Sequence, residues 1–199
     1  MLAVEASIAV VDFETTGSLE GYADEPWQIG VVRFEGGRAL LDAAFTSLLR
    51  VGDRPFSPYA PGRHQELRLE MEVAPVLQEL WPRLRQLLAT DGICAHNAPV
   101  EKKFLRQAFP LQMPVPWIDT LKLVRIAYPS LASHKLGDLI ADMGLKATLD
   151  GLFPSLAPHD ALYDAAACAM LLERLLKLPE WEGLTLEAII HCRAPTVRH

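Results

Sequence analysis

The chain has 199 residues, 50% of them hydrophobic and 22% charged, with a formal net charge of -6. That composition suits one globular domain with a full core and excludes a disordered or repeat architecture. The acidic balance argues against a surface that coats long duplex DNA, and leaves room for a compact site whose positive charge comes from bound metal ions.

Cys94, Cys168 and Cys192 are odd in number and form no CxxC pair. They fit a reducing cytoplasmic setting without a disulfide framework. No run approaches the ~18 apolar residues of a membrane span. The apolar stretch from Ile8 to Phe13 is short, contains Asp12 and lacks a basic leader, so it reads as a strand and not a signal peptide.

In chain order, Ser7 to Phe13 is a buried strand rich in Val and Ile. Gly17 to Pro26 is a loop, and Trp27 to Phe34 a second strand. Glu35-Gly36-Gly37-Arg38 makes a hairpin turn, because glycine accepts the positive φ such turns require. Ala39 to Arg50 returns as a third strand. Val51 to Gly62, with Pro55, Pro58 and Pro61, is a loop. The spacing of Val76, Leu77, Leu80, Leu84, Leu87 and Leu88 predicts a helix from Ala74 to Ala89. Ile93 to Ala95 is a short strand, and Pro99 opens a helix that runs to Ala108. Trp117-Ile118 is the fifth strand. Asp119 and Ser133 each precede a helical pattern and read as N-caps. The last strong helix covers Asp160 to Leu176 and is ended by Pro179. A meander followed by strands alternating with helices is an α/β arrangement, a mixed sheet flanked by helices. One domain falls on residues 1–178, with a weakly patterned tail, 179–199, packed on it.

Asp12 and Glu14 stand two apart on a strand and so share a sheet face. Adjacent carboxylates repel unless a cation joins them, and hard divalent ions take such oxygen ligands. The alternative is a solvent-facing edge strand bearing two acids. Asp164 sits in a helix that is apolar all round, where a carboxylate needs a partner. A metal would serve, and so would the positive end of the helix dipole. His159 lies five residues earlier, out of step with one helix face, and is placed on the entering loop. There it either takes a proton from water or is an ordinary surface histidine. His96-Asn97 ends the fourth strand, where α/β sheets commonly place functional groups. Glu101 follows one turn into the next helix, as a site residue or as an ordinary exposed acid in Glu101-Lys102-Lys103 paired with nearby positive charge. Lys102, Lys103 and Arg106 read as a solvated helix face, with contact to substrate phosphates as the second reading.

Asp12-Phe13-Glu14-Thr15-Thr16-Gly17 resembles the first exonuclease motif of the DEDD superfamily. His96-Asn97-Ala98-Pro99-Val100-Glu101-Lys102-Lys103-Phe104-Leu105 resembles the second. His159-Asp160-Ala161-Leu162-Tyr163-Asp164-Ala165 resembles the third in its histidine-containing (DEDDh) form. Ile118-Asp119-Thr120-Leu121 and Ser133-His134-Lys135-Leu136 resemble family connectors. The order and spacing are similar to those of the proofreading epsilon subunit of bacterial replicative polymerase, over roughly residues 7–176. Two positions depart from the pattern. Glu101 stands where the second motif has Asp, and Gln28 where an acid is common on the second strand.

The resemblance implies a ribonuclease H-like, mixed five-stranded sheet and a 3′→5′ exonuclease. It would release nucleoside 5′-monophosphates from single-stranded DNA or RNA 3′ ends. Two divalent metal ions, Mg²⁺ or Mn²⁺, would be held by Asp12, Glu14, Glu101 and Asp164. His159 would be the general base. Thr15, Thr16 and Gly17 would line the terminal nucleotide's pocket, with Asn97 orienting a phosphate. A polymerase or replication partner is implied as well. The alternative function is a catalytically weak or inactive nucleic-acid-binding module, or a polymerase-associated subunit.

Overall fold

The computed structural model describes residues 1–112 and 115–197. Its centre is β1 (Ile8–Thr15), which pairs antiparallel with β2 (Pro26–Glu35) and parallel with β4 (Gly92–Ala95). β3 (Arg38–Leu48) lies outside β2, and β5 (Trp117–Asp119) lies outside β4. The strand order is β3-β2-β1-β4-β5, the mixed five-stranded sheet expected from the sequence. β1 is a central strand covered on both faces, which is why Ile8 to Val11 is apolar without alternation.

Each face of the sheet has its own core. Ile8 and Val10 of β1, with Val32 and Phe34 of β2, pack under α4 (Thr120–Ala127), α5 (Leu136–Asp142) and α7 (Ala161–Leu176). Ala9, Val11 and Phe13 face the opposite way, onto α2 (Trp81–Leu87) and α3 (Pro99–Ala108). Alternation along β1 puts Asp12 and Glu14 in the row of Ile8 and Val10, on the α7 side.

The helix expected over Ala74 to Ala89 is shorter than predicted. Leu77–Leu80 forms a 3₁₀ turn and α2 begins only at Trp81. Pro82 has no N–H to donate to Gln78, so one continuous α-helix is barred there, and proline sits instead in the first turn of a new one. Ser133 is not the N-cap of α5. That position is Lys135, and the Ser133 hydroxyl instead accepts the Lys135 N–H and bonds Asp138. Asp119 does cap α4, accepting the Leu121 N–H at 3.1 Å. Three short helices carried no readable period: α1 (Arg68–Glu72), α6 (Lys146–Leu152) and α8 (Leu186–Ile190). Five to seven residues span two turns at most, too few for a 3.6-residue repeat to show.

Within the segment after Leu178, Trp181 and Ile189 are buried in the α7-side core. The Trp181 indole donates to the Pro195 carbonyl at 2.8 Å, and Thr185 bridges to Leu2. Positions 198 and 199 of the expected tail lie outside the described residues. Among the described residues, no helix is long and apolar enough to cross a membrane.

The tightest contact between layers is where α7 begins. Gly30 of β2 lies against the first peptide of α7: a Cβ on it would stand 2.1 Å from the Ala161 carbonyl oxygen. Beside it Gln28, the sequence departure noted above, is buried. Its amide donates to Asp160 at 3.0 Å, and its carbonyl accepts the Ala161 N–H at 3.2 Å. Asp160 caps the helix, accepting the Leu162 N–H. An acid at position 28 would face the Asp160 carboxylate without a proton to share, so glutamine is the residue this junction requires.

Gly30→Ala is expected to lower stability by about 1–3 kcal/mol, the usual cost of overpacking a closed contact. Urea unfolding measures this. A change within about 0.5 kcal/mol, the range of an inert surface substitution, would show that the junction yields freely.

Candidate active site

The C-terminal half of β1, the start of α3 and the first turn of α7 meet at one edge of the sheet. In register, Asp12 is opposite Gly30 and Glu14 is opposite Gln28. The acids of β1 therefore sit beside the two residues that seat α7, and α7 brings Asp164 over them. Ligand atoms of Glu14, His159 and Asp164 all lie within 4.8 Å of one another. Glu101 enters from the first turn of α3 and is buried, not exposed and paired with a neighbouring lysine. Its Oε2 is shut off from solvent with no hydrogen-bond partner among the described residues.

The electrostatics record this crowding. Burial pushes the Asp12 carboxyl well above its ordinary range, and the charges of Asp164, Glu101 and Glu14 push the same way. Burial, then Asp164, raises Glu14 to about 8. Burial raises Glu101 to about 8 against a backbone hydrogen bond that lowers it. Asp164 rises to about 6 through burial, moderated by the backbone N–H of His159. Among the described residues none of these four acids has an ion pair with Lys or Arg. Four acids that oppose one another's ionisation, one with an orphaned buried oxygen, are a donor set fitted to hard divalent cations.

His159 is exposed and lies on the loop entering α7, as its spacing from Asp164 requires. Its φ is 68°, in the left-handed region uncommon outside glycine. Its backbone N–H donates to Asp164 Oδ2 at 3.1 Å, so the acid and the loop hold each other. Asn97 has the same unusual backbone, with φ 78°, and its N–H donates to the buried Asp119 at 3.1 Å. This bond ties the β4–α3 corner to β5. Asn97 is exposed and lines a cleft of about 840 Å³ together with His96, His134, His159 and Asp164. His96 is a brace in its wall. Its Nε2 donates to the His134 carbonyl at 2.9 Å, leaving Nδ1 to accept from the Thr120 hydroxyl at 3.0 Å.

The residues after Glu14 divide. Thr15 ends β1 and is half-buried. Thr16 is buried, and its hydroxyl accepts the Glu25 N–H and reaches Asp24. Its backbone carbonyl accepts the Ser57 N–H. Gly17 has φ 72°, and a Cβ there would meet Ser57 at 2.7 Å. Its openness therefore serves the loop over residues 51–67, which closes on this side of the site. That loop is itself pinned: Phe56 stacks on His64 with centroids 4.4 Å apart, and both meet Trp27 edge-on. Gln28, Gly30, Asp119 and Ser57 thus organise the site without having been singled out for it. Two of them had left a signal, Gln28 as a departure from the family pattern and Asp119 as a helix cap within a family connector.

Comparison with known proteins places this geometry. The Exonuclease (RNase_T) family profile matches residues 9–172. A DNA polymerase III subunit epsilon-like protein from Rhodobacter capsulatus is 30% identical over 182 residues, 90% of this chain and 25% of its own length. The PolC-type DNA polymerase III of Thermotoga maritima is 32% identical over 187 residues, 91% of this chain and 13% of its own. The chain thus spans a quarter or less of the length of these curated relatives. Among solved structures, Exonuclease X in complex with 5′ overhanging duplex DNA superposes with a TM-score of 0.69 at 27% identity. That match covers 92% of this chain and 99% of the other. The nuclease domain of 3′hExo, a DEDDh family member bound to rAMP, shares the fold, with a TM-score of 0.68 at 18% identity over 89% and 94% of the two chains. The match to the family spans both β1 acids, Glu101, His159 and Asp164, and the fold around them is the ribonuclease H-like one. The chain belongs to the Exonuclease (RNase_T) family.

Proposed function

We propose that residues 1–178 form a metal-dependent 3′→5′ exonuclease domain that removes nucleoside 5′-monophosphates from single-stranded 3′ ends. The observation that carries this reading is the crowding of Asp12 by Glu14, Glu101 and Asp164, with Glu14 and Asp164 close to His159, none of the four acids paired with Lys or Arg among the described residues, beside an open cleft. These four acids would hold divalent cations, Mg²⁺ or Mn²⁺. Divalent cations held there would supply positive charge to the reacting phosphate and make bound water a better acid. The acids hold their own geometry because β1, α3 and α7 are each packed into the core. His159 takes the proton from attacking water at its imidazole. It faces solvent on a loop tied to Asp164 by its backbone N–H. Thr15 and Gly17 border the terminal nucleotide, Thr16 holds the backbone between them in place, and Asn97 meets the phosphate from the cleft side.

The long relatives that carry polymerase names extend the reading to a polymerase or replication partner and a cytoplasmic setting. Exonuclease X holds a duplex with a 5′ overhang, so a recessed 3′ end is the competing substrate here. The acidic balance of this chain, which offers little surface to a duplex, favours the unpaired end.

The direct test is a 5′-labelled single-stranded oligonucleotide incubated with Mg²⁺, with Mn²⁺ and with chelator. A metal-dependent ladder shortening from the 3′ end is expected, faster than on a recessed duplex of the same sequence. Tight binding without cleavage in either metal would favour an inactive binding module. Two variants sharpen the assignment. Glu101 reaches about one C–C bond, roughly 1.5 Å, further than Asp would. Mn²⁺, more tolerant of that geometry, is therefore expected to support more activity than Mg²⁺. Glu101→Gln keeps the shape without the charge and should lose most activity, whereas Glu101→Asp should retain a measurable part. His159→Ala should lower turnover by about 10²–10⁴ while Mn²⁺ binding persists. Wild-type rates in Glu101→Gln would remove it from the site, and wild-type rates in His159→Ala would remove the base.

Stability should report the same acids. Glu14 and Glu101 keep their protons to about pH 8 in the fold, against an ordinary 4.5. A carboxyl raised in this way stabilises the folded state while protonated. That contribution is full below the ordinary range and is lost as pH climbs from 4.5 towards 8. In chelator the Tm should fall across that window, and Mn²⁺ should offset the fall by binding the folded state. Glu14→Gln should flatten the chelator profile. A wild-type profile that is identical with and without metal would contradict the site.

A further inference from the structure

The protein is acidic overall, yet one face gathers unpaired cations. The cleft beside Asp164 and His159 is also lined by Arg125, Lys135 and Lys146. A second cleft, of about 390 Å³, lies between α3, β5, α4 and α8 and is lined by Lys102, Lys103, Arg106 and Lys122. The two clefts share a ridge. Asn97 and Leu121 line the first, and their chain neighbours Ala98 and Lys122 line the second. Lys122 and Arg125 are three apart on α4, one turn along the same helix face. Among the described residues, Lys102, Lys103, Arg106, Lys122, Arg125 and Lys135 form no salt bridge. Lys103 lies 5.2 Å over the Phe104 ring, and Lys146 pairs with Asp150. The acids that line these clefts away from the catalytic group are two. Asp119 is buried and already accepts two backbone N–H groups, and Asp138 is bonded by Ser133.

We propose that this band holds the backbone of the single strand on the 5′ side of the nucleotide being removed. The strand would leave the His159–Asp164 cleft, cross α4 and reach α3 and α8. The proposal rests on the reading of the site as a 3′-end nuclease. Like charges lined up along two clefts and left without acidic partners repel one another, and a polyanion of regular charge spacing relieves that repulsion along its whole length. Continuity with the acid site favours a phosphodiester strand over an acidic peptide, because the band starts where the terminal phosphate is placed. Trp117 and Ile190 give the second cleft an apolar wall suited to a base.

The test is fluorescence anisotropy with labelled oligothymidylate and oligouridylate of increasing length, in chelator, across a salt titration. Each phosphate contact on a single strand contributes about 0.7 to the slope of log affinity against log salt. The combined variant Lys102→Ala, Lys103→Ala, Arg106→Ala and Lys122→Ala should lower that slope by about 2–3 for long strands and weaken them at least tenfold. A dinucleotide should bind it as it binds wild type. Arg83→Ala with Arg85→Ala, on α2 and in the lining of neither cleft, should leave the slope unchanged. A slope loss smaller than about 0.7, one contact's worth, overturns the band. So does equal binding of polyglutamate that the variant loses equally, which would mark a general polyanion dock. Absence of metal-dependent cleavage by wild type overturns the nuclease reading instead. The two failures are therefore read from different assays.

Discussion

The first turn of α7 lying directly on Gly30 is the contact on which the site depends. A helix that packs against a sheet through side chains normally stands about 10 Å away. Here the Ala161 carbonyl touches the backbone of β2, because position 30 has no side chain. Gln28 completes the junction by meeting the Asp160 side chain and the Ala161 N–H at once. Since β2 pairs with β1 so that Gly30 faces Asp12 and Gln28 faces Glu14, seating α7 on β2 is the same act as bringing Asp164 to the acids of β1. Backbone contact leaves little freedom for that distance to vary, and carboxylates meant to share ions need it fixed.

The cost of that placement is electrostatic. Asp12, Glu14, Glu101 and Asp164 are each raised first by burial, and each also by a neighbouring acid's charge. A fold under pressure for stability alone would place lysine or arginine there, as it does elsewhere: Arg54 meets Glu25, and Arg33 meets Glu35. The site instead keeps its cations at a distance, in the walls of the neighbouring clefts. Two left-handed residues, Asn97 and His159, stand at its rim. Local strain and unneutralised charge in one place are what a binding centre looks like when described by physics alone.

Much of this was legible in the residues. A doubly buried β1 follows from its unbroken apolar run. The common face of Asp12 and Glu14 follows from the strand period. The loop position of His159 follows from five-residue spacing that cannot align on a helix. What the chain did not disclose were contacts between residues far apart. The Thr16 hydroxyl is held by Glu25 and Asp24, which the sequence alone did not pair with it. The bareness of Gly17 also admits Ser57, forty residues on, which a side chain at 17 would meet. The burial of Glu101, against the exposed helix face that Glu101-Lys102-Lys103 offered as an alternative, comes from how α3 docks and not from its neighbours in sequence. The helix over Ala74 to Ala89 was overextended because apolar spacing ran through Pro82 without registering the missing N–H. Gln28 stood out only as a break in a pattern; its purpose needed Asp160, 132 residues away.

The central claim is that four carboxylates from β1, α3 and α7 form one divalent-cation centre. The most direct test is a crystal of the protein soaked with Mn²⁺ and measured at the manganese absorption edge. The account predicts anomalous peaks bounded by Asp12, Glu14, Glu101 and Asp164, with two ions about 3.5–4 Å apart when a nucleotide is present. A well-ordered, nucleotide-bound crystal with no peak there, or with manganese only at acids elsewhere on the surface, would contradict it.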